Sequence, residues 1–121
     1  MKIAIVSACS AGIASTYMAA EALQLAARRR GHEAWAETQG TLGVENQISQ
    51  TAAASVDGVI LAADIKVLMM DRFRGKPILE VGVAEAIRRP DQVLERAERQ
   101  FSQHTGPVRP DRATPEQGGK Q

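Results

Sequence analysis

Two short apolar runs constrain this chain more than any other feature: Lys2-Ile3-Ala4-Ile5-Val6-Ser7-Ala8, and Val59-Ile60-Leu61-Ala62-Ala63. A strand with one wet face alternates apolar and polar residues, and neither run does so. Both predict strands covered on each face, as in a parallel sheet flanked by helices. Glu33 to Thr38 and Ile78 to Val81 are expected to add two more strands, the last preceded by the turn residues Gly75-Lys76-Pro77 and ended by Gly82.

The segments between strands read as helices and loops. Residues 15–30 place small or apolar side chains at Met18, Ala22, Leu25 and Ala26 with helical spacing, then stop with Arg28-Arg29-Arg30 before Gly31. Cations at a helix C-terminus complement its dipole, so the triplet is expected to point to solvent. Gln39 to Val44 reads as a loop, with Asn46 or Ser49 capping a short helix through Val56. Asp64 to Phe73 reads as a loop with a helical turn or two. Val83 to Arg88 begins a helix interrupted at Pro90, and Val93, Leu94, Ala97 and Phe101 mark the apolar face of a final helix. This alternation predicts an α/β three-layer sandwich: a four-stranded parallel sheet flanked by helices and joined by right-handed crossovers.

The chain has 121 residues and no apolar stretch approaching the ~18 residues of a membrane span, so one small domain with no direct membrane insertion is expected. Only Tyr17, Trp35, Phe73 and Phe101 are aromatic, which leaves aliphatic residues and alanine to fill the core. Trp35, Tyr17 and Met18 are assigned to packing. A formal net charge of +1 with interspersed signs offers no footprint for nucleic acid. The N-terminus carries no export signal, so a cytoplasmic location is expected. Residues 1–105 form the expected domain. Residues 106–121, rich in Pro, Gly, Gln and charge, are expected to be a disordered linker or tail.

Cys9 is the only cysteine, and it stands immediately after the first strand. In open parallel sheets, ligands bind beyond the carboxyl ends of the strands. The following residues, Ser10, Ala11, Gly12, Ile13, Ala14, Ser15 and Thr16, are small or lead into a helix, so their backbone N–H groups can converge on an anion. Gly12 permits a positive φ, and the hydroxyls of Ser10, Ser15 and Thr16 can reach a phosphate or the loop backbone. The same partial positive charge favours thiolate over thiol. A reactive nucleophile and a small apolar residue ending a strand both satisfy this local pattern.

Absent residues narrow the chemistry. A phosphatase or arsenate-reductase loop of this topology places an Arg at the sixth position after its cysteine to stabilise the transferring phosphoryl group; here that position is Ser15. With no Arg, Lys or His in the loop, holding a phosphoryl group on sulfur and passing it on suits it better than hydrolysis. Neither a Walker A motif nor a Gly-x-Gly-x-x-Gly fingerprint is present. His32 and His104 lack a metal-site or catalytic pattern and are expected at the surface; no metal and no organic cofactor is implied.

Four segments in order closely resemble the IIB domain of the fructose-specific phosphoenolpyruvate-dependent sugar phosphotransferase system. They are Ala8-Cys9-Ser10-Ala11-Gly12-Ile13-Ala14-Ser15-Thr16 continuing to Leu23, then Glu37-Thr38-Gln39-Gly40, Ala62-Ala63-Asp64-Ile65, and Arg72-Phe73 with Gly75-Lys76-Pro77. The resemblance implies that Cys9 accepts a phosphoryl group from a phosphohistidine on a IIA domain. It also implies that Cys9 donates this group to fructose, or a similar sugar, bound by a membrane IIC domain, and that the Cys9–Thr16 loop cradles the phosphate. The protein would then work at the inner face of the membrane through IIC. The loop departs from the usual family reading, Cys-Pro-Thr-Gly-Ile-Ala-His-Thr, at Ser10, Ala11 and Ser15. Glu37 and Asp64 follow strands two and three and are expected either to bond loop backbone or to sit at the edge of the site, because a carboxylate repels a dianionic phosphate. The alternatives are a Cys-based phosphatase-like or reductase-like enzyme, which needs a cation brought to the loop, and a non-catalytic regulatory module with the same fold.

Overall fold

The computed structural model describes residues 1–10, 13–41 and 43–103. Its elements in chain order are β1 (Lys2–Ala8), α1 (Ile13–Arg29), β2 (Glu33–Gly40), β3 (Gly43–Glu45), α2 (Gln50–Ser55), β4 (Gly58–Ala63), a 3-10 turn (Met70–Phe73), β5 (Ile78–Val81), α3 (Val83–Arg88) and α4 (Pro90–Gln103). The sheet order is β3-β2-β1-β4-β5. β1 pairs in parallel with both β2 and β4, and β5 runs parallel to β4. The expected four parallel strands are therefore present. A fifth, β3, adds an antiparallel edge through Thr38↔Glu45, Gln39↔Val44 and Gly40↔Gly43, where a loop was expected. β2 runs on to Gly40, and the chain folds straight back on it.

The apolar runs are buried as their composition requires: Ile3 to Val6 and Val59, Ile60 and Ala62 are fully shielded from solvent. Two cores sit on opposite faces of the sheet. One packs Ile3, Ile5, Ile60 and Leu79 against Leu23, Ala86, Leu94 and Phe101 of α1, α3 and α4. The other packs Ala4, Val6, Val59 and Leu61 against Ala53 of α2 and Phe73 of the 3-10 turn, with Trp35 at its margin.

The buried face of α1 is Ala19, Ala20, Leu23, Ala26 and Ala27, rotated from the expected stripe; Met18 and Leu25 are exposed. Alanine lets the helix approach the sheet closely, so the small face wins the interior and the larger side chains turn outward. Tyr17, also expected in the core, is exposed and donates its hydroxyl to Glu45, tying α1 to β3. Gly31, at φ +86°, closes α1. His32 N–H donates to Ala27 C=O and Gly31 N–H donates to Arg28 C=O, each at 3.0 Å, the pair of hydrogen bonds of a left-handed helix terminus.

Arg29 and Arg30 do not simply face solvent but reach α4: Arg29 pairs with Asp91 at 3.2 Å and Arg30 is bidentate to Glu98 at 2.7 and 2.8 Å. Arg30 and, after the cost of partial burial, His32 hold the Glu98 carboxyl down at about 2. His32, expected at the surface, has a side chain only 11% exposed and contacts Glu98 at 2.7 Å. His104 and the 106–121 tail lie outside the described residues. Ser49 is the cap of α2, its Oγ accepting from Ala52 N–H at 3.0 Å. As expected, the helix from Val83 stops ahead of Pro90, at Arg88; Pro90 then stands first in α4, where its missing N–H costs nothing.

The α4–sheet contact is tight at one point. A methyl group added to Gly58 would lie 2.5 Å from ring atoms of Phe101. Gly58→Ala is expected to displace the α4 terminus and lower stability by about 1–3 kcal/mol, measured as a reduced urea midpoint at unchanged slope.

Candidate active site at the carboxyl edge of the sheet

The register brings the ends of three strands to one level. Ala8 is opposite Gln39 on one side and Ala63 on the other, so the next residues, Cys9, Gly40 and Asp64, meet at the carboxyl edge of the sheet. Asp64 N–H continues the ladder to Ala8 C=O at 3.0 Å. The β1 neighbours, β2 and β4, are reached by crossovers on opposite faces, and this reversal opens the crevice in which doubly wound sheets bind ligands.

Cys9 is 6% exposed and touches the α1-side core. Burial alone would suit a packing residue, but two polar side chains turn toward its sulfur. Ser15 Oγ, in the first turns of α1, lies 3.7 Å from Cys9 Sγ with its hydroxyl donating, and Asp64 Oδ2 lies 4.0 Å away as acceptor for the thiol. Asp64 Oδ1 accepts Val83 N–H at 3.4 Å. On the remaining side, a Cβ on Gly40 would be 3.9 Å from both Cys9 O and Thr16 Oγ1. Thr16 is buried, Ser15 half-buried, and Ser10 and Ala14 are exposed. Ala11, Gly12 and the Ile13 side chain lie outside the described residues.

Of the two carboxylates expected near the cysteine, only Asp64 is there. Glu37 is interior to β2 and fully buried. Arg72 Nη1 and Nη2 donate to its two oxygens at 2.6 and 2.7 Å, Gln39 Nε2 donates at 2.8 Å, and Ile48 N–H donates at 2.8 Å. Burial pushes this carboxyl up, yet Arg72, Gln39 and Ile48 together hold it below the usual range. The backbone N–H that Glu37 accepts is that of Ile48, between β3 and α2 rather than in the Cys9 loop, and Glu37 is not at the edge of the site. Gln39 also pins the chain after β4, donating to Leu68 C=O at 3.1 Å and accepting Leu68 N–H at 2.8 Å. That loop begins at Asp64, so the buried polar cluster supports the site from behind. The Glu37–Arg72 pairing went unread in the sequence; its one signal was a carboxylate interior to a strand and an Arg within an ordered motif.

Among the described residues, no helix is long and apolar enough to cross a membrane. The chain matches the family model "PTS system, Lactose/Cellobiose specific IIB subunit" over residues 4–96. It is 44% identical over 102 residues to the PTS system fructose-like EIIB component 2 of Escherichia coli K12, covering 84% of this chain and 96% of that protein. It is 42% identical over 96 residues to the PTS system fructose-specific EIIB'BC component of Vibrio cholerae, covering 79% of this chain and 16% of that protein. A crystal structure of a domain from the fructose-specific IIABC component of Borrelia burgdorferi superposes with a TM-score of 0.77 at 32% identity, covering 82% of this chain and 94% of that one. Sequence and fold agree over the same stretch that carries Cys9, Gly40 and Asp64, and the chain belongs to the PTS IIB family.

Proposed function

We propose that Cys9 carries a phosphoryl group between a IIA phosphohistidine and a fructose-like sugar bound by a membrane IIC domain. The observation that carries this reading is the meeting of Ser15 Oγ and Asp64 Oδ2 at Cys9 Sγ, on the carboxyl edge of the sheet. In the first step, sulfur attacks phosphorus, the N–P bond breaks, the imidazole, protonated on its other nitrogen, leaves neutral with the electron pair, and the thiol proton passes to a neighbouring base as S–P forms. In the second, a sugar hydroxyl oxygen attacks phosphorus and loses its proton, S–P breaks, and sulfur keeps the pair. Ser15 O–H, already directed at sulfur, stabilises the thiolate released there. In this reading, backbone N–H groups of residues 11 to 16 act as the electrostatic clamp on the phosphoryl oxygens.

In this reading the relay unit is residues 1–105, with 106–121 a linker or tail, and the protein works in the cytoplasm at the inner membrane face. A relative whose name joins B and C components in one longer chain supports a IIC partner. Incubation with phosphoenolpyruvate and the upstream relay proteins is expected to add a single phosphate-sized mass that maps to Cys9. Absence of that gain, with a IIA shown to be phosphorylated and able to load another IIB, overturns the reading.

A further inference from the structure

We propose that Asp64 is the proton carrier of the Cys9 relay: its carboxylate receives the thiol proton as the S–P bond forms and returns it when the phosphoryl group leaves. This rests on the relay reading and assigns a second catalytic residue to the same site. The geometry is specific. Asp64 Oδ2 is the acceptor facing Cys9 Sγ at 4.0 Å, while Oδ1 is anchored by Val83 N–H at the start of α3. One oxygen fixes the carboxylate and leaves the other for the sulfur. Asp64 is also held through the chain, because its N–H bonds Ala8 C=O, the residue before the nucleophile. Among the described residues, groups near the pair include Ser15 of α1, the Val83 N–H and the backbone at Gly40 of β2.

A charged carboxylate beside a phosphocysteine dianion is repulsive, and this geometry resolves the conflict by moving one proton. Before transfer, the neutral thiol donates to the carboxylate. As sulfur bonds to phosphorus, the donor imidazole, protonated on its other ring nitrogen, leaves as neutral imidazole with the N–P electron pair, and the thiol proton passes to Asp64 Oδ2. Asp64 is then a neutral acid next to the phosphoryl group. In the second step the sugar oxygen bonds to phosphorus, sulfur leaves with the S–P pair, and Asp64 returns the proton to sulfur. The sugar hydroxyl proton goes to a base on the acceptor side. Asp64 is exposed while Cys9 is not, so the carboxylate is the part of the pair that an arriving donor or acceptor covers.

The test compares the rate of Cys9 phosphorylation by phosphorylated IIA in wild type, Asp64→Asn and Asp64→Glu from pH 6.5 to 9, read by quenched-flow mass spectrometry. Asn keeps an oxygen for Val83 N–H, and a urea midpoint near wild type verifies that the variant folds. Asp64→Asn is expected to load about 10²-fold more slowly at neutral pH. The deficit should shrink as pH approaches the ~8.5 at which a free thiol ionises unaided; a purely structural role gives a deficit that does not change with pH. Asp64→Glu, which retains the base, should recover most of the rate. Loading by Asp64→Asn at or above the wild-type rate overturns proton carriage while leaving the relay intact. Failure of wild type itself to load from a competent donor overturns the relay and this inference with it.

Discussion

Cys9→Ser is expected to carry no transferable phosphoryl group and to lower sugar phosphorylation by about three orders of magnitude or more. The exchange of one atom changes three things at once. A serine hydroxyl is far less acidic than a thiol, so the nucleophile is not available near neutral pH without a strong base. An oxygen ester of phosphate is also a poor donor, so any phosphoserine that did form would be a dead end. Finally, Ser15 and Asp64 are spaced for sulfur, and the shorter C–O bond withdraws the atom that accepts from Ser15 and donates to Asp64. Position 9 is buried with room for a side chain of this size, so the variant should fold, and near-native circular dichroism and urea midpoint would establish that. The measurement is transfer of labelled phosphate from phosphoenolpyruvate to fructose in membranes holding the proposed IIC acceptor. More than a tenth of wild-type transfer would remove Cys9 from the reaction path.

Strand and helix order was legible wherever composition and burial impose the same demand. The runs at 2–8 and 59–63 had to be central strands, and they place Cys9 and Asp64 at one edge before any side chain is considered. Gly31 after Arg28-Arg29-Arg30 had to end α1, since its φ of +86° is one that L side chains resist. Three features were not legible, each because tertiary context decides it. β3 is three residues long and exists only by pairing with the extension of β2. The face α1 turns inward could not be read from Met18 and Leu25, because the helix is alanine-rich all round and close approach to the sheet selects the small side chains. Glu37 reads as a strand-end carboxylate until Arg72, far along the chain, is seen to reach it. The site divides in the same way: the position of Cys9 between β1 and α1 was evident from adjacency in sequence, whereas the contact of Asp64 with the sulfur depends on strand order.

Arg72→Met is expected to be among the most destabilising single substitutions in this protein, at about 3–5 kcal/mol near neutral pH. That is a large share of the ~5–15 kcal/mol that holds a domain together. Arg72 supplies two of the donors on a carboxylate that has no exposure, and its Nη1 also bonds Ile48 C=O at 2.8 Å. Its guanidinium lies 4.7 Å from the centre of the Phe73 ring, so a Met side chain fills similar apolar space without the charge. What remains is Glu37 with Gln39 and Ile48 alone. The pH dependence gives the mechanism its signature. In wild type the folded-state value lies below the ordinary 4.5, so the pair's contribution is fully present above that pH and is lost as pH falls through the folded value. In Arg72→Met, burial is opposed only by the two remaining donors, the folded-state value rises above the ordinary one, and protonation then favours the native state. Wild type therefore loses stability toward acid while the variant's penalty shrinks, and urea midpoints at pH 7 and near 4.5 should converge. A second substitution, Glu37→Gln, should restore part of the loss at pH 7, because the neutral amide keeps an acceptor for Ile48 N–H without an unpaired charge. A penalty below about 1 kcal/mol at pH 7, or one that grows toward acid, would show that the ion pair is not what holds β2, the Leu68 loop and the 3-10 turn together behind the cysteine.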